Sequence, residues 1–350
     1  KNILITGGTG FIGSHTCLAL LEKGYNLLVI DSLVNSSSDV IKKIRNFYKN
    51  RYENSENDIE FYKVDLRDEY FLNDLFDNYS KRNKQIDAVI HFAGLKSVNE
   101  SILEPLKYWD FNLKGTINLL KIMHKHNCRN LVFSSSATIY GSKKENKLIK
   151  ETCEIKPINT YGHTKSVIEQ ILNDLSKLKN QQWRIASLRY FNPIGAHNNA
   201  LIGENPIQKE NNIIPIINKV AAGFIDELLI YGNNWDTYDG TGIRDYIHVM
   251  DLADGHLLAL ESILNNKFKY IELNMGTGKG TSVLELVRTY QKVNNVNIRY
   301  RFCERREGDV AFSVADNSLA KRSLNWEPKR DLAKMCSDSW NWFKNSQKDL

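Results

Sequence analysis

A tyrosine and a lysine stand four residues apart in Tyr161-Gly162-His163-Thr164-Lys165. That spacing puts a phenol and an ammonium on one face of a helix. A free phenol titrates at about 10 and is a poor base at neutral pH. A cation within a few ångströms, together with a positively charged hydride acceptor, favours the phenolate, so the pattern predicts a lowered Tyr161 and a pair suited to general acid–base work. Taken alone, the same spacing is that of many surface pairs. Its weight comes from the stretch upstream, Ser134-Ser135-Ser136-Ala137-Thr138-Ile139-Tyr140-Gly141, where a strand ends in a cluster of hydroxyls. Ser136 is placed to hydrogen-bond the hydroxyl that Tyr161 deprotonates, whereas Ser134 and Ser135 read as turn-capping residues.

The chain opens on a second constellation, Thr6-Gly7-Gly8-Thr9-Gly10-Phe11-Ile12-Gly13, between a strand-like run and a helical one. Gly7 and Gly10 let the backbone turn tightly and approach a pyrophosphate, and Gly13 lets the helix pack closely. The helix N-terminus then offers unpaired N–H groups to the phosphates. Asp31 closes the second strand, where a carboxylate accepts hydrogen bonds from a ribose 2′-hydroxyl and repels a 2′-phosphate. NAD is expected over NADP. Asp65, after the third strand, is a candidate for the adenine edge, and Phe92-Ala93-Gly94-Leu95-Lys96 ends the fourth strand, where open parallel sheets bind ligands.

These residues need a parallel sheet to position them. Strands are expected over 2–6, 26–31, 59–64, 88–92, 131–134 and 183–190, alternating with helical patterns as in β-α-β units. The expected class is α/β, a doubly wound Rossmann sheet with a smaller mixed α/β body. A division at Tyr190 gives a nucleotide-binding body over 1–190 and a smaller substrate-binding body over 191–350, with segments such as 270–273 returning to the main sheet. The smaller body is expected to hold a helix over 211–223 and loops over 240–244 and 305–309. Segments 50–58 and 142–150, rich in Lys, Asn, Glu and Ser, read as solvated loops.

Composition narrows the class further. With 350 residues, 42% hydrophobic and 25% charged, the chain is of ordinary globular make-up. The net charge of +6 is spread in short, interrupted clusters such as 42–45 and 142–144, which favours an anionic small substrate over nucleic acid. Cys17, Cys128, Cys153, Cys303 and Cys336 are scattered without a C-x-x-C pair, so neither a disulfide framework nor a metal site is expected and a reducing, cytoplasmic setting is. No run of about 18 apolar residues exists to span a bilayer. The chain starts directly on strand-like Ile3-Leu4-Ile5, leaving no room for a signal peptide, although the missing initiator Met leaves a removed leader open.

Together, T-G-x-x-G-x-x-G, the strand-end Asp31, S-S-S-A-T-x-Y-G and Y-x-x-x-K resemble the extended short-chain dehydrogenase/reductase superfamily. Segments 89–96 (VIHFAGLK), 188–197 (LRYFNPIGAH), 239–249 (DGTGIRDYIHV) and 305–309 (RREGD) are similar to the UDP-galactose (UDP-glucose) 4-epimerases in particular. The likeness runs from residue 2 to about residue 342. It implies reversible inversion at C4 of a UDP-hexose by tightly held NAD, with Tyr161 as base, Lys165 as its modulator and ribose ligand, and Ser136 as hydroxyl partner. It also implies cofactor contacts at Phe11, Ile12, Asn35, Ser36, Leu66, Phe92, Ala93, Gly94, Lys96, Asn112 and Tyr190. Substrate contacts are implied at Lys96, Phe191, Asn192, Asn212, Ile213, Arg244, Tyr246, Arg306 and Asp309. Arg244 and Arg306 make independent chemical sense, since guanidinium binds diphosphate oxygens through a charged fork. Ser32 stands where some members carry Asn, which predicts a minor loss of ribose contact.

Ser313 falls where members carry either a bulky Tyr or a small residue. A small residue leaves space for a 2-acetamido group, so UDP-N-acetylhexosamines join the expected substrates, with neighbouring Phe312 large enough to refill that space. The resembling family pairs its helices in a homodimer, here over 106–123 and 161–178. Three rivals share parts of this pattern. A sugar-nucleotide 4,6-dehydratase needs an Asp-Glu pair where this chain has Ala137 and Thr138, and a steroid-type dehydrogenase does not need Arg244 and Arg306. A non-catalytic dinucleotide sensor keeps the glycines but does not need Tyr161, Lys165 and Ser136 together.

Overall fold

The computed structural model describes residues 1–142, 146–207, 212–306 and 308–347. The chain begins with β1 (Asn2–Thr6), α1 (Phe11–Glu22), β2 (Asn26–Asp31), α2 (Asp39–Arg51), β3 (Ile59–Lys63), α3 (Glu69–Lys81) and β4 (Ile86–His91). Next come α4 (Val98–Leu103), α5 (Pro105–Tyr108), a π-helical segment (Trp109–Lys114), α6 (Gly115–Lys125), β5 (Asn130–Ser136) and a 3-10 turn (Ala137–Tyr140). The catalytic region follows with α7 (Thr160–Ser176), β6 (Arg184–Tyr190) and β7 (Asn192–Ile194). The remainder runs α8 (Ile213–Ala221), β8 (Leu228–Tyr231), β9 (Ile243–Arg244), β10 (Tyr246–His248), α9 (Val249–Leu264) and β11 (Tyr270–Met275). It closes with β12 (Thr281–Ser282), α10 (Val283–Asn294), β13 (Tyr300–Cys303), β14 (Phe312–Ser313), α11 (Ser318–Leu324) and α12 (Leu332–Ser346).

Seven strands form one parallel sheet in the order β11-β6-β5-β4-β1-β2-β3. The order reverses between β1 and β4, which is where such sheets open a ligand crevice. Successive strand residues face opposite sides, and here both sides are apolar. Ile3, Ile5, Leu27, Val29, Ile90 and Val132 pack into one core cluster. Their neighbours Leu4, Leu28, Ile30, Val89, Leu131 and Phe133 pack into another. That double cover explains the near-continuous apolar strands, each such side chain stabilising by roughly 1.5–3 kcal/mol on full burial.

The return of a later segment to the main sheet is seen: β11 pairs parallel with β6, Tyr270 opposite Ile185 through Met275 opposite Tyr190. α9 joins it, with Leu252, Leu260 and Ile263 buried in the same cluster as Leu18 and Leu20 of α1. A separate core of Ile214, Ile217, Leu228, Ile230, Leu286, Tyr290 and Met335 unites α8, β8, α10 and α12.

Several local expectations are revised. β5 runs on to Ser136, because Ser134, Ser135 and Ser136 pair with Leu188, Arg189 and Tyr190 of β6. The helix expected over 106–123 is split by the π segment, which contains Asn112. α8 starts at Ile213, and Asn211 lies outside the described residues, as do Lys143, Lys144 and Glu307. The stretch 142–150 is not wholly solvated: Ile149 is 3% exposed and bridges Ala315. Nor is 50–58 all loop, since α2 extends to Arg51 and Arg45 grips Asp58 through two bonds of 2.8 and 2.6 Å.

Candidate active site

The glycine turn is built as the spacing demands. Gly7 has φ +69°, and a Cβ there would lie 2.6 Å from the Ala93 backbone nitrogen. At Gly13 a Cβ would lie 2.4 Å from the Gly7 carbonyl oxygen, so the close approach is of α1 to the turn itself. α1 begins at Gly10 with no side-chain cap and no acidic residue in its first turn. Its free N–H groups and partial positive charge therefore face the crevice unanswered. Phe11 and Ile12 are the first two residues of that turn and are partly buried.

Asp31 ties this turn to the next loop. Its carboxylate accepts from the backbone of Thr9 at 3.2 Å and Leu33 at 2.9 Å, and from the Ser36 hydroxyl at 3.3 Å. Thr9 and Ser36 hydroxyls meet at 2.6 Å. Asn35 stands beside them in the 32–36 loop. Asp65 is held by Arg67, whose guanidinium bonds both its oxygens at 3.0 and 2.6 Å and reaches Asp110 at 2.5 Å; the Arg67 bond holds the Asp65 carboxyl below its usual range. Leu66 lies buried behind it, with Asn118 donating to its carbonyl.

The loop after β4 is fixed from behind. Asn112 is 2% exposed. Its Oδ1 accepts from Leu95 N at 2.8 Å, and its Nδ2 donates to Leu95 O at 3.0 Å and to Thr164 Oγ1 at 3.2 Å. Gly94 leaves the room: a Cβ there would lie 3.2 Å from Asn112 Oδ1. Asn112 lies within the π segment, a kind of insertion found frequently at functional sites. A buried chain of polar groups holds Ala93. The Thr116 hydroxyl donates to Asn112 O at 2.6 Å, so it must accept from His91 Nε2 at 2.8 Å. His91 Nδ1 then accepts from the Thr6 hydroxyl at 2.6 Å, and Thr6 accepts from Ala93 N at 3.2 Å. Burial pushes His91 down to about 3, which keeps the ring neutral and this order of donors fixed. Sequence reasoning missed Thr6, His91 and Thr116, whose partners lie far apart along the chain.

Tyr161 and Lys165 sit on α7, capped by Asn159, which accepts from Gly162 N at 2.9 Å. Ile168 and Leu172 bury its inner face, with Ile171 and Leu175 packed alongside. Ser136 Oγ accepts from Thr138 N at 3.2 Å and Thr138 Oγ1 at 2.9 Å. The Ser136 hydroxyl also acts on the Tyr161 phenol in favour of the phenolate. Lys165 alone does not produce the expected lowering. Burial pushes the phenol up, against the Ser136 bond. The Lys165 ammonium lies 5.9 Å from the phenol ring centroid and donates to Ser134 O at 2.7 Å. Burial brings Lys165 itself down to about 8.

Tyr190, opposite Ser136 on β6, has its phenol against His256 Nε2, while His256 Nδ1 meets Leu252 O at 2.8 Å. That carbonyl requires the Nδ1–H tautomer, so Tyr190 donates to His256. Burial raises Tyr190 well above the ordinary phenol range. Phe92 packs against the same imidazole at 4.8 Å.

Two residues beyond Tyr190 the chain enters the candidate substrate side. Asn192 opens β7, which pairs with Tyr246 of β10, and Phe191 is 8% exposed. Arg244 on β9 lies beside Ser313 of β14 in parallel register. Arg244, Tyr246 and Asp309 feel one another's charge: burial lowers Arg244, opposed by Tyr246 and Asp309. Arg306 donates to Asp309 at 3.2 Å and lays its guanidinium 4.5 Å over the Tyr231 ring. Phe312 and Ser313 are successive strand residues and face opposite ways. The Phe312 ring packs 3.6 Å from where a Gly280 Cβ would sit, so it does not refill the space beside Ser313.

Three further residues escaped the sequence reading. Glu204, 8% exposed, accepts from Lys96 Nζ at 3.1 Å and from Asn212, which precedes Ile213 at the start of α8. It thus bridges the loop after β4 to the start of α8. Asp245 accepts from Thr277, Gly278 and Ala315, fixing the loop behind Arg244. Tyr231 offers an aromatic face at the Arg306 side. Glu204 and Tyr231 carry no local signal beyond their residue type, while Asp245 lies within the 239–249 segment but has no implied role there.

A parallel Rossmann sheet, an uncapped glycine turn and a serine–tyrosine–lysine set at the adjoining strand ends define an extended short-chain dehydrogenase/reductase. The sequence model described as GDP-mannose 4,6 dehydratase matches residues 4–339. A UDP-glucose 4-epimerase of Bacillus subtilis (strain 168) is 47% identical across 97% of this chain and 96% of its own. The crystal structure of UDP-glucose-4-epimerase from Stenotrophomonas maltophila, with bound NAD and formylated UDP-arabinopyranose, has a TM-score of 0.91 and 43% identity, covering 100% of this chain and 99% of that one. UDP-glucose 4-epimerase from Bifidobacterium longum in complex with NAD+ and UDP gives 0.90 and 40%, each chain covered in full. The chain belongs to the family that this sequence model describes and, within it, to the UDP-glucose 4-epimerases. The dehydratase rival lacks its acid–base pair, because Ala137 is a methyl group and the Thr138 hydroxyl is spent on Ser136.

Proposed function

We propose that this chain interconverts UDP-glucose and UDP-galactose by reversible inversion at C4, with NAD held throughout. The observation that carries the reading is Ser136, at the end of β5, acting on Tyr161 one turn before the buried Lys165 of α7, beside a glycine turn that leaves the α1 N-terminus uncapped. The residues present fit NAD. Gly7, Gly10 and Gly13 let a pyrophosphate reach the free N–H groups, and Asp31 has acceptor capacity for a ribose 2′-hydroxyl. Asn35, Ser36, Asp65 and Leu66 would line the adenosine side, Lys96 the pyrophosphate or ribose, and Phe92, Ala93, Lys165 and Tyr190 the nicotinamide side. Asn112 and Gly94 act by holding the Leu95 loop. When bound, NAD supplies a reversible hydride acceptor at C4.

The chain's own residues handle the proton and the grip. Tyr161 takes the C4 hydroxyl proton and later returns it, its phenolate supported by Ser136 and, through charge, by Lys165. Arg244 and Arg306 hold the diphosphate, with Asn192, Asn212, Ile213, Phe191, Tyr246 and Asp309 around the nucleotide and sugar. The grip is on the UDP portion, which leaves a transient 4-keto hexose free to turn its other face toward the same acid. The small Ser313 extends the proposal to UDP-N-acetylhexosamines.

The test is to incubate purified protein with UDP-galactose and no added NAD. UDP-glucose should form, and Tyr161→Phe should abolish its formation while leaving UDP binding intact. Near-normal turnover by that variant refutes the role of Tyr161, and a 4-keto-6-deoxy product would favour the dehydratase reading instead.

A homodimer belongs to the same proposal. Leu103 and Leu106 are each 81% exposed beside α7, an apolar patch of the kind that marks an interface. A cytoplasmic setting is supported by five cysteines, all free. Among the described residues no helix is long and apolar enough to cross a membrane.

A further inference from the structure

Tyr161, Lys165 and Glu169 stand at successive turns of α7, so the catalytic pair continues into a third ionisable side chain on the same face. Glu169 is 2% exposed and Lys165 4%. The Lys165 ammonium bonds the Ser134 carbonyl, which is a dipole and not a counter-charge. Glu169 is the carboxylate that acts on it. Glu169 cannot wander. Arg189, fully buried on β6, bonds it through Nε at 3.0 Å and Nη2 at 2.6 Å, and is itself fixed by the Tyr140 hydroxyl at 2.9 Å and the Glu151 carbonyl at 3.1 Å.

The charges do not cancel within this cluster. Arg189 also pairs with Glu272 of β11 at 2.9 Å, so one guanidinium serves two carboxylates and one negative charge is left over. That surplus is what a buried ammonium one helical turn away requires. The other groups packed around α7 are neutral or paired locally. His91 is kept neutral by burial, Tyr140, Tyr190 and Tyr270 have their phenols raised, and Glu100 is matched by Lys107. Asp110 bonds Arg67 and Lys114, and the partly buried Glu151 carboxyl is raised by burial.

We propose that Glu169, clamped by Arg189 and joined by Glu272, is a positioning residue of the epimerisation site, holding the counter-charge that keeps Lys165 an ammonium while Tyr161 takes and returns its proton. This rests on the functional reading above. Glu169 touches neither substrate nor cofactor in this scheme and acts only through Lys165.

The experiment uses the full chain with UDP-galactose, measuring kcat and KM from pH 6 to 10. In Glu169→Gln the alkaline limb of the kcat profile should move toward acid by about one pH unit or more, with KM unchanged, so that the loss at pH 9 is about tenfold greater than at pH 7. Glu169→Asp, which keeps the charge, should restore the limb. If Glu169→Gln does not fold, Glu272→Gln carries the test. It leaves the Glu169–Arg189 pair intact yet removes the surplus charge, and its limb should move the same way by less. A uniform loss of kcat at every pH, with the limb unmoved, would assign these residues to stability alone and overturn the proposal. Tyr161→Phe separates the two failures: turnover by that variant sinks the functional reading, whereas an inactive variant beside an unmoved limb sinks only the role of Glu169.

Discussion

Replacing Gly7 with alanine is the sharpest test of how the nucleotide-binding turn is built. Two separate costs meet at this position. The backbone has φ +69°, where an L side chain costs roughly 1–2 kcal/mol. The added methyl would also sit 2.6 Å from Ala93 N and 2.9 Å from the Phe92 carbonyl carbon. Both are backbone atoms, and Ala93 is held by the Thr6–His91–Thr116 chain, so neither yields cheaply. Overpacking of this kind costs about 1–3 kcal/mol. Together they predict a loss of about 2–5 kcal/mol, or roughly 3–7 °C in Tm at about 1.4 °C per kcal/mol for a chain of this size. Gly10→Ala is the internal control: its φ is −71° and its Cβ would meet only Gly7 O, at 3.3 Å, so it should lose no more than about 1 kcal/mol. The assay is thermal unfolding of both variants beside the NAD content of protein purified without added cofactor. Gly7→Ala should lose Tm and retained NAD together. A Gly7→Ala protein with the Tm and NAD content of the parent would refute the reasoning.

Three further outcomes follow from the same geometry. Lys165 titrates near 8 in the fold and near 10.5 unfolded, so below pH 8 the buried ammonium is a standing cost that falls away as pH rises from 8 to 10.5, where the folded protein binds fewer protons than the unfolded one. Lys165→Met should therefore be more stable than the parent at pH 7, by up to about 3 kcal/mol, while inactive; calorimetry showing a less stable variant at pH 7 and no convergence above pH 10 would contradict this. Ser313→Tyr should abolish turnover of UDP-N-acetylhexosamines and spare that of the hexoses, read by product analysis on both, since a phenol beside Arg244 fills the space for an acetamido group. Leu106→Glu should shift the particle from dimer to monomer by light scattering, and an unchanged mass would remove the α4–α5 patch from the interface.

Much of this protein could be read from residue order because its strands are apolar on both sides and its turns are marked by glycine. The six expected strands and the parallel sheet rest on local pattern alone, as do the glycine turn and the tyrosine–lysine helix. Where local pattern ended, so did legibility. β5 runs past its apolar stretch into three serines because β6 supplies the partner strand. The helix over 106–123 breaks at a π segment holding Asn112, whose partner Leu95 no helical period can see. The buried chain from Thr116 through His91 and Thr6 to Ala93, and the Glu204 bridge between Lys96 and Asn212, join residues remote in sequence. For Tyr161, spacing conveys nearness to a cation but not the burial that acts against it.

The intertwining of α9 and β11 with the first half has a consequence for synthesis. As the polypeptide leaves the ribosome, the strand that ends at Tyr190 has no neighbour on its outer edge until Met275 has emerged. The face that α1 and α2 cover in part also waits for Leu252 and Leu260 of α9. During that interval the nascent catalytic half presents a sticky face and an open strand edge, the features that recruit chaperones and seed aggregation. Truncation at residue 190 would freeze the chain in that exposed state.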